Sequence, residues 1–105
     1  MQDKILRLLG LARRAGELTY GQTAVITEIK KGHTKLLLFA KDFNSKTKQA
    51  ILNNCQNIKS LTLPYSMEEF GFAIGAKPTG VLSVNNENFR KGILEVNSFE
   101  EKENI

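Results

Sequence analysis

Apolar residues recur along this chain at two spacings, helical in some segments and unbroken in others. Ile5, Leu8, Leu9 and Ala12 share one face of a 3.6-residue period, which predicts a helix over Asp3–Ala15. Gly16 suits the left-handed position that closes it, and Arg13 and Arg14 in the last turn complement the helix dipole. Leu18–Tyr20 predicts a very short edge strand. A second helix is expected from Gly21 to Lys31, stopping at Gly32, with Val25 and Ile29 inward and Thr23, Thr27 and Lys30 on another face. Leu36–Ala40 shows no alternation, the pattern of a central strand covered on both faces. Ser45 is the expected cap of a third helix, with Thr47, Ile51, Cys55 and Ile58 on one stripe, and Leu61–Leu63 is a short strand ending at Pro64.

The sharpest local signal follows. Ser66 and Glu69 have the spacing of a capping box, Tyr65 and Phe70 that of a hydrophobic staple, and the helix they open stops at Gly75. Ala76–Gly80 is a loop, Val81–Val84 a strand, and a last helix is expected over Asn88–Glu95, followed by a frayed acidic tail at 96–105. Three strands separated by helices, without a hairpin signal, predict a βαβαβ core with right-handed crossovers. With the two N-terminal helices and the edge strand this makes a three-layer α/β/α sandwich, a single domain over residues 1–95.

Composition narrows the partner. The chain has 105 residues, room for one small domain, and its longest apolar run is far below the roughly 20 residues that span a bilayer. No secretory apolar segment opens it, and the one cysteine excludes an internal disulfide, so a cytoplasmic protein without a membrane partner is expected. The net charge of +4 hides an uneven distribution. Residues 1–94 carry 14 Lys/Arg against 7 Asp/Glu, whereas residues 95–105 carry 1 against 4. A basic body with a short acidic end fits a nucleic-acid partner, because clustered cations release counterions from phosphates.

Catalytic chemistry finds little support. His33 is the only histidine and follows a helix-ending glycine, as a loop or capping residue would. Cys55 sits on an apolar stripe like a small buried hydrophobe, and Glu68–Glu69 is half capping box. There is no GxxxxGK[ST] and no GxGxxG. Gly71 and Gly75 read as a close helix–sheet approach and a C-cap. No cofactor and no metal are expected. The lysines remain: Lys30, Lys31 and Lys35 around the end of the second helix, Lys41 after the central strand, and Lys77 in the last long loop. Crevices in such sheets form beyond the strand carboxyl ends, where Lys41 lies.

Gly21–Gly32 followed by Lys35–Asp42, then Met67–Gly75, resemble the kink-turn-binding ribosomal seven-Ae/thirty-e superfamily. The opening Leu9–Gly16 resembles its bacterial YlxQ-type branch, and the likeness spans about residues 5–94. The resemblance implies a three-layer sandwich with a mixed four-stranded sheet. It also implies RNA binding by the start of the second helix, which enters the widened major groove at tandem sheared G·A pairs, while the loop before the last strand covers an extruded nucleotide. Carried over by position, Gly21 approaches the RNA backbone, Gln22 adds a polar contact, and Thr23, Ala24 and Thr27 stand where many members have Asn, Glu and Lys. Lys31 stands at the family's basic residue, and Lys77, Pro78 and Thr79 form the covering loop. Ala24 offers no acceptor to a guanine edge and Thr27 replaces a cation with a neutral hydroxyl. The expected partner is structured RNA, ribosomal or kink-turn-like, with ribosomal or ribonucleoprotein proteins as further candidates and a monomer when free. The alternative is an assembly or protein-interaction module that keeps the fold and has lost kink-turn specificity.

Overall fold

Leu36–Phe39 forms the central strand of the computed structural model, which describes residues 3–55 and 57–103. All four of its residues are buried, and they divide between two cores. Leu36 and Leu38 face one apolar cluster with Ile5, Leu9, Phe70 and Ile93, whereas Leu37 and Phe39 face another with Val25 and Ile51. A strand with apolar side chains on both faces needs helices on both, and it has them.

In chain order the elements are α1 (Lys4–Arg14), β1 (Leu18–Tyr20), α2 (Gln22–Lys31), β2 (Leu36–Phe39), α3 (Ser45–Asn53), β3 (Ser60–Thr62), α4 (Met67–Ile74), β4 (Val81–Val84) and α5 (Glu87–Glu103). The four-stranded sheet has the order β1-β4-β2-β3. Helices α1, α4 and α5 pack on the first cluster, α2 and α3 on the second, which makes the expected α/β/α sandwich.

The strand directions correct one expectation. β2 and β3 are parallel, as a crossover requires, but β4 runs antiparallel to both β2 and β1, so the βαβαβ core with crossovers throughout does not form. The reason lies in α4 and the loop behind it. After α4 the chain doubles back along the helix: Ala76 N–H donates to Gly71 O at 2.8 Å and Thr79 N–H to Met67 O at 3.1 Å. The loop therefore returns to the sheet end from which α4 departed, and β4 enters the sheet from there. Gly71 makes the return possible, since a Cβ on it would lie 2.5 Å from Lys77 O. Its close approach is to this loop, not to the sheet.

Three helix ends differ from expectation: α3 stops at Asn53, so Cys55 and Ile58 lie beyond it rather than on its stripe, although both pack against the second core cluster. The cap of α3 is Asn44, whose side chain accepts from Thr47 N–H at 2.9 Å, and Ser45 is the first helical residue. Asn at this position satisfies the same orphan amide that Ser45 was expected to reach, one residue earlier. The last helix does not stop at Glu95 but runs to Glu103, through the segment read as a tail. Phe89, Leu94 and Val96 pack against the first core cluster and carry the helix across that boundary, which a polar composition alone concealed. The capping box of α4 forms as expected, with Ser66 Oγ accepting from Glu69 N–H and Glu69 Oε1 from Ser66 N–H, and the Tyr65 and Phe70 rings are 6.4 Å apart.

Candidate nucleic-acid interface

One end of the sheet gathers residues from four parts of the chain. Gly21 N–H donates to Val81 O at 3.2 Å, which joins the end of β1 to the start of β4. Ala40 N–H donates to Gly80 O at 2.9 Å, and Lys41 N–H to Tyr65 O at 2.9 Å. Asp42 then accepts from Met67 N–H at 2.8 Å, tying the end of β2 to the first turn of α4. With neighbouring strands about 4.8 Å apart, Gly21, Gly80 and Lys41 stand side by side along this edge.

The start of α2 is chemically unlike that of α4. Its N-cap is Gly21, with φ 90° and ψ 146°, a conformation that favours glycine, and no side chain caps the helix. No acidic residue lies in its first turn, whereas α4 has Glu68, Glu69 and a full capping box. The first amides of α2 therefore lack intrahelical acceptors, and open space lies where a Gly21 Cβ would be. Such amides, at the positive end of the helix dipole, suit a phosphate.

The side chains expected at this surface take up different positions. Gln22, Thr23, Ala24 and Thr27 are exposed on the first turns of α2. Thr27 Oγ1 donates to Thr23 O at 3.1 Å, so its proton is engaged within the helix. Lys41 is exposed at the edge, and Lys77 and Pro78 are exposed in the returning loop. Thr79 lies beneath them, 6% exposed, with its N–H on Met67 O. Its Oγ1 is buried without a hydrogen-bond partner among the described residues.

The lysines do not form one patch. Lys31 closes the last turn of α2, about 13 Å from Gln22 along the helix axis at 1.5 Å per residue. Lys35 N–H donates to Val84 O, at the opposite sheet end from Lys41 and Lys77. Lys30, Lys31 and Lys35 thus belong to a second region, where His33 Nδ1 meets Glu28 Oε1 at 2.9 Å.

Arg13, read from sequence only as a helix-dipole residue, takes a further part here. The Arg13 guanidinium lies 4.8 Å from the centre of the Tyr20 ring, and its Nη1 donates to Ile74 O at 3.3 Å. Tyr20 adjoins Gly21 and Ile74 ends α4 where the returning loop begins, so one side chain ties the end of β1 to the end of α4. Only the Tyr beside the helix-opening glycine hinted at this. Elsewhere, burial pushes the Cys55 thiol above its ordinary range, and its Sγ donates to Ile51 O, which leaves it in the unreactive thiol form. Among the described residues no group of three or more His, Cys, Asp or Glu side chains is placed to hold a metal. No helix among them is long and apolar enough to cross a membrane.

A mixed sheet between helices, with an uncapped helix start beside a basic returning loop, defines a class that comparison with known proteins identifies. The chain belongs to the ribosomal protein L7Ae/L30e/S12e/Gadd45 family, whose model matches residues 3–93. It is 32% identical over 91 residues to RNA-binding protein YlxQ of Bacillus subtilis (strain 168), covering 83% of this chain and 88% of that protein. It is 29% identical over 97 residues to RNA-binding protein YlxQ of Enterococcus faecium, covering 90% and 92% of the two chains. Among solved structures, a protein with unknown function from Bacillus halodurans C superposes with a TM-score of 0.82 at 28% identity, over 90% of this chain and 96% of that one. The Giardia lamblia 15.5kD RNA binding protein shares the fold, with a TM-score of 0.70 at 15% identity over 91% and 87%.

Proposed function

We propose that this chain is a non-catalytic, cytoplasmic RNA-binding protein that takes structured RNA, of kink-turn or ribosomal type, at the sheet end formed by the start of α2 and the 76–80 loop. The observation that supports this most is the uncapped start of α2 at the sheet end where the returning loop and β2 also terminate, joined by the Gly21–Val81 and Ala40–Gly80 hydrogen bonds. The family membership and the names of the two YlxQ relatives support the same reading. In it, Gly21 lets the RNA backbone approach, the amides and Gln22 hold a phosphate or sugar, and Thr23 and Thr27 face the groove. Lys77 and Pro78 cover the adjacent nucleotide over a loop that Thr79 anchors. Lys41 and Lys77 supply salt-dependent affinity, and Lys31 reaches the backbone further along the helix.

A second reading is favoured by Ala24 and Thr27. Ala24 has no polar side-chain atom and the Thr27 hydroxyl is turned to Thr23 O, so the groove-facing turn has little with which to read a base edge. A ribonucleoprotein assembly module that binds phosphates without kink-turn specificity fits that chemistry.

Titration against a kink-turn RNA and a control with disrupted G·A pairs, each at two salt concentrations, tests both. Tighter binding of the intact kink-turn supports the first reading, and equal salt-sensitive binding supports the second. No binding to either RNA or to ribosomal RNA at low salt excludes RNA as the partner. Thr27→Lys is expected to raise affinity for the intact kink-turn more than for the control if α2 docks in the groove.

A further inference from the structure

Phe72 is 91% exposed, the most open large apolar side chain among the described residues. It stands in a groove of about 770 Å³ between α1 and α4, with Leu6 and Ala73 as further apolar wall. Asp3, Glu68 and Glu69 line the same groove, and Arg7 is its one cation. These are three of the seven acidic residues in a body, residues 1–94, that carries 14 Lys/Arg. Nearby, burial first and then the carboxylates of Asp3, Glu100 and Glu69 push the Tyr65 phenol up to about 12.

The groove and the proposed RNA edge use different sides of α4. Met67 and Gly71 face the returning loop through their backbone contacts, whereas Glu68 and Phe72, one turn apart, share a stripe about 100° round the helix. A phosphate chain is repelled from three carboxylates, so RNA is a poor occupant here. An exposed aromatic ringed by carboxylates fits a ligand of the opposite sign with an apolar anchor. Proteins that share an RNA with this chain carry Lys/Arg clusters for the same electrostatic reason and offer such segments.

We propose that the α1–α4 groove docks a basic, apolar-anchored segment of a partner protein. The segment sets an apolar side chain against Phe72, Leu6 and Ala73 and lysines or arginines against Asp3, Glu68 and Glu69. RNA and partner then occupy separate faces of one small domain, and the docking surface stands whether or not the edge binds RNA.

The test is an NMR titration of the full isotope-labelled chain with three short peptides. One carries Leu and Lys at helical spacing, one has Glu in place of Lys, and one has Ser in place of Leu. Only the Leu/Lys peptide is expected to shift the amides of Leu6, Arg7, Glu68, Phe72 and Ala73. Phe72→Ala and Glu68→Lys, both at exposed positions, are each expected to weaken it by about tenfold. Equal binding of the Glu peptide, shifts confined to Lys41 and Lys77, or no shifts overturn the proposal. So does concentration-dependent self-association that Phe72→Ala abolishes, because the groove's occupant is then a second copy.

Discussion

Gly71 faces the backbone of Lys77 so closely that a Cβ would stand 2.5 Å from the Lys77 carbonyl oxygen and 2.7 Å from its carbon. Neither atom belongs to a flexible side-chain end, so the contact sets where the returning loop lies. That loop in turn sets the direction of β4 and brings Gly80 to the sheet end that holds Gly21.

Gly71→Ala is therefore expected to push the loop off α4. The cost should be about 1–3 kcal/mol, the range for overpacking a close contact. Urea denaturation measures the loss, and NMR shifts concentrated at residues 76–80 separate loop displacement from general unfolding. Under the proposed function, RNA affinity falls with it.

Gly21 is irreplaceable for a different reason. Nothing stands within 4 Å of where its Cβ would be, but φ 90° with ψ 146° is strained for any other residue. Gly21→Ala should cost about 1–3 kcal/mol. Gly16, at φ 75° and also in open space, lies nearer the ordinary left-handed region. Gly16→Ala should cost less, about 1–2 kcal/mol, so the two midpoints in a denaturant series should rank in that order.

Arg13 and Lys77 are expected to differ in kind. Arg13 is engaged with the Tyr20 ring and Ile74 O, whereas Lys77 is exposed. Lys77→Ala should weaken RNA binding and reduce the slope of log affinity against log salt by about 0.7–0.9, the value for one phosphate contact. Arg13→Lys keeps the charge and loses the planar fork, and should weaken binding with an unchanged slope. An altered slope for Arg13→Lys would make it a direct phosphate ligand.

Tyr65 predicts a pH effect with a definite sign. Its folded-state value of about 12 lies above the ordinary 10, chiefly through burial and then through Asp3, Glu100 and Glu69. A raised value means that its contribution is fully present below pH 10 and is lost as pH rises through 12. At most about 3 kcal/mol is at stake over that window. Tyr65→Phe should flatten the decline in stability between those limits relative to the unmodified chain, as pH-dependent thermal denaturation would show.

The Ser66–Glu69 capping box, Gly32 and Gly75 as left-handed helix ends, and the doubly buried Leu36–Phe39 strand were all legible in sequence. Each depends on residues a few positions apart, and local hydrogen bonding or periodicity decides it. α5 beyond Glu95 was not legible, because Val96 gains its apolar neighbours only in the folded core. The likeness to the L7Ae/L30e family was legible in Gly21–Asp42 and Met67–Gly75. The role of Asp42 as a tie to Met67 N–H, 25 residues away, was not.

The sequence by itself determined the order of the helices and strands, that β2 is buried on both faces, and that the body is basic while residues 95–105 are acidic. Only the tertiary structure decided that β4 runs antiparallel, that Gly21, Gly80 and Lys41 share one sheet end while Lys31 and Lys35 lie at the other, and that Phe72 is left in an acidic groove. Periodicity and capping act within a turn or two of chain. Strand direction and charge clustering depend on how far a loop returns along a helix, and here a missing Cβ at Gly71 allows that return.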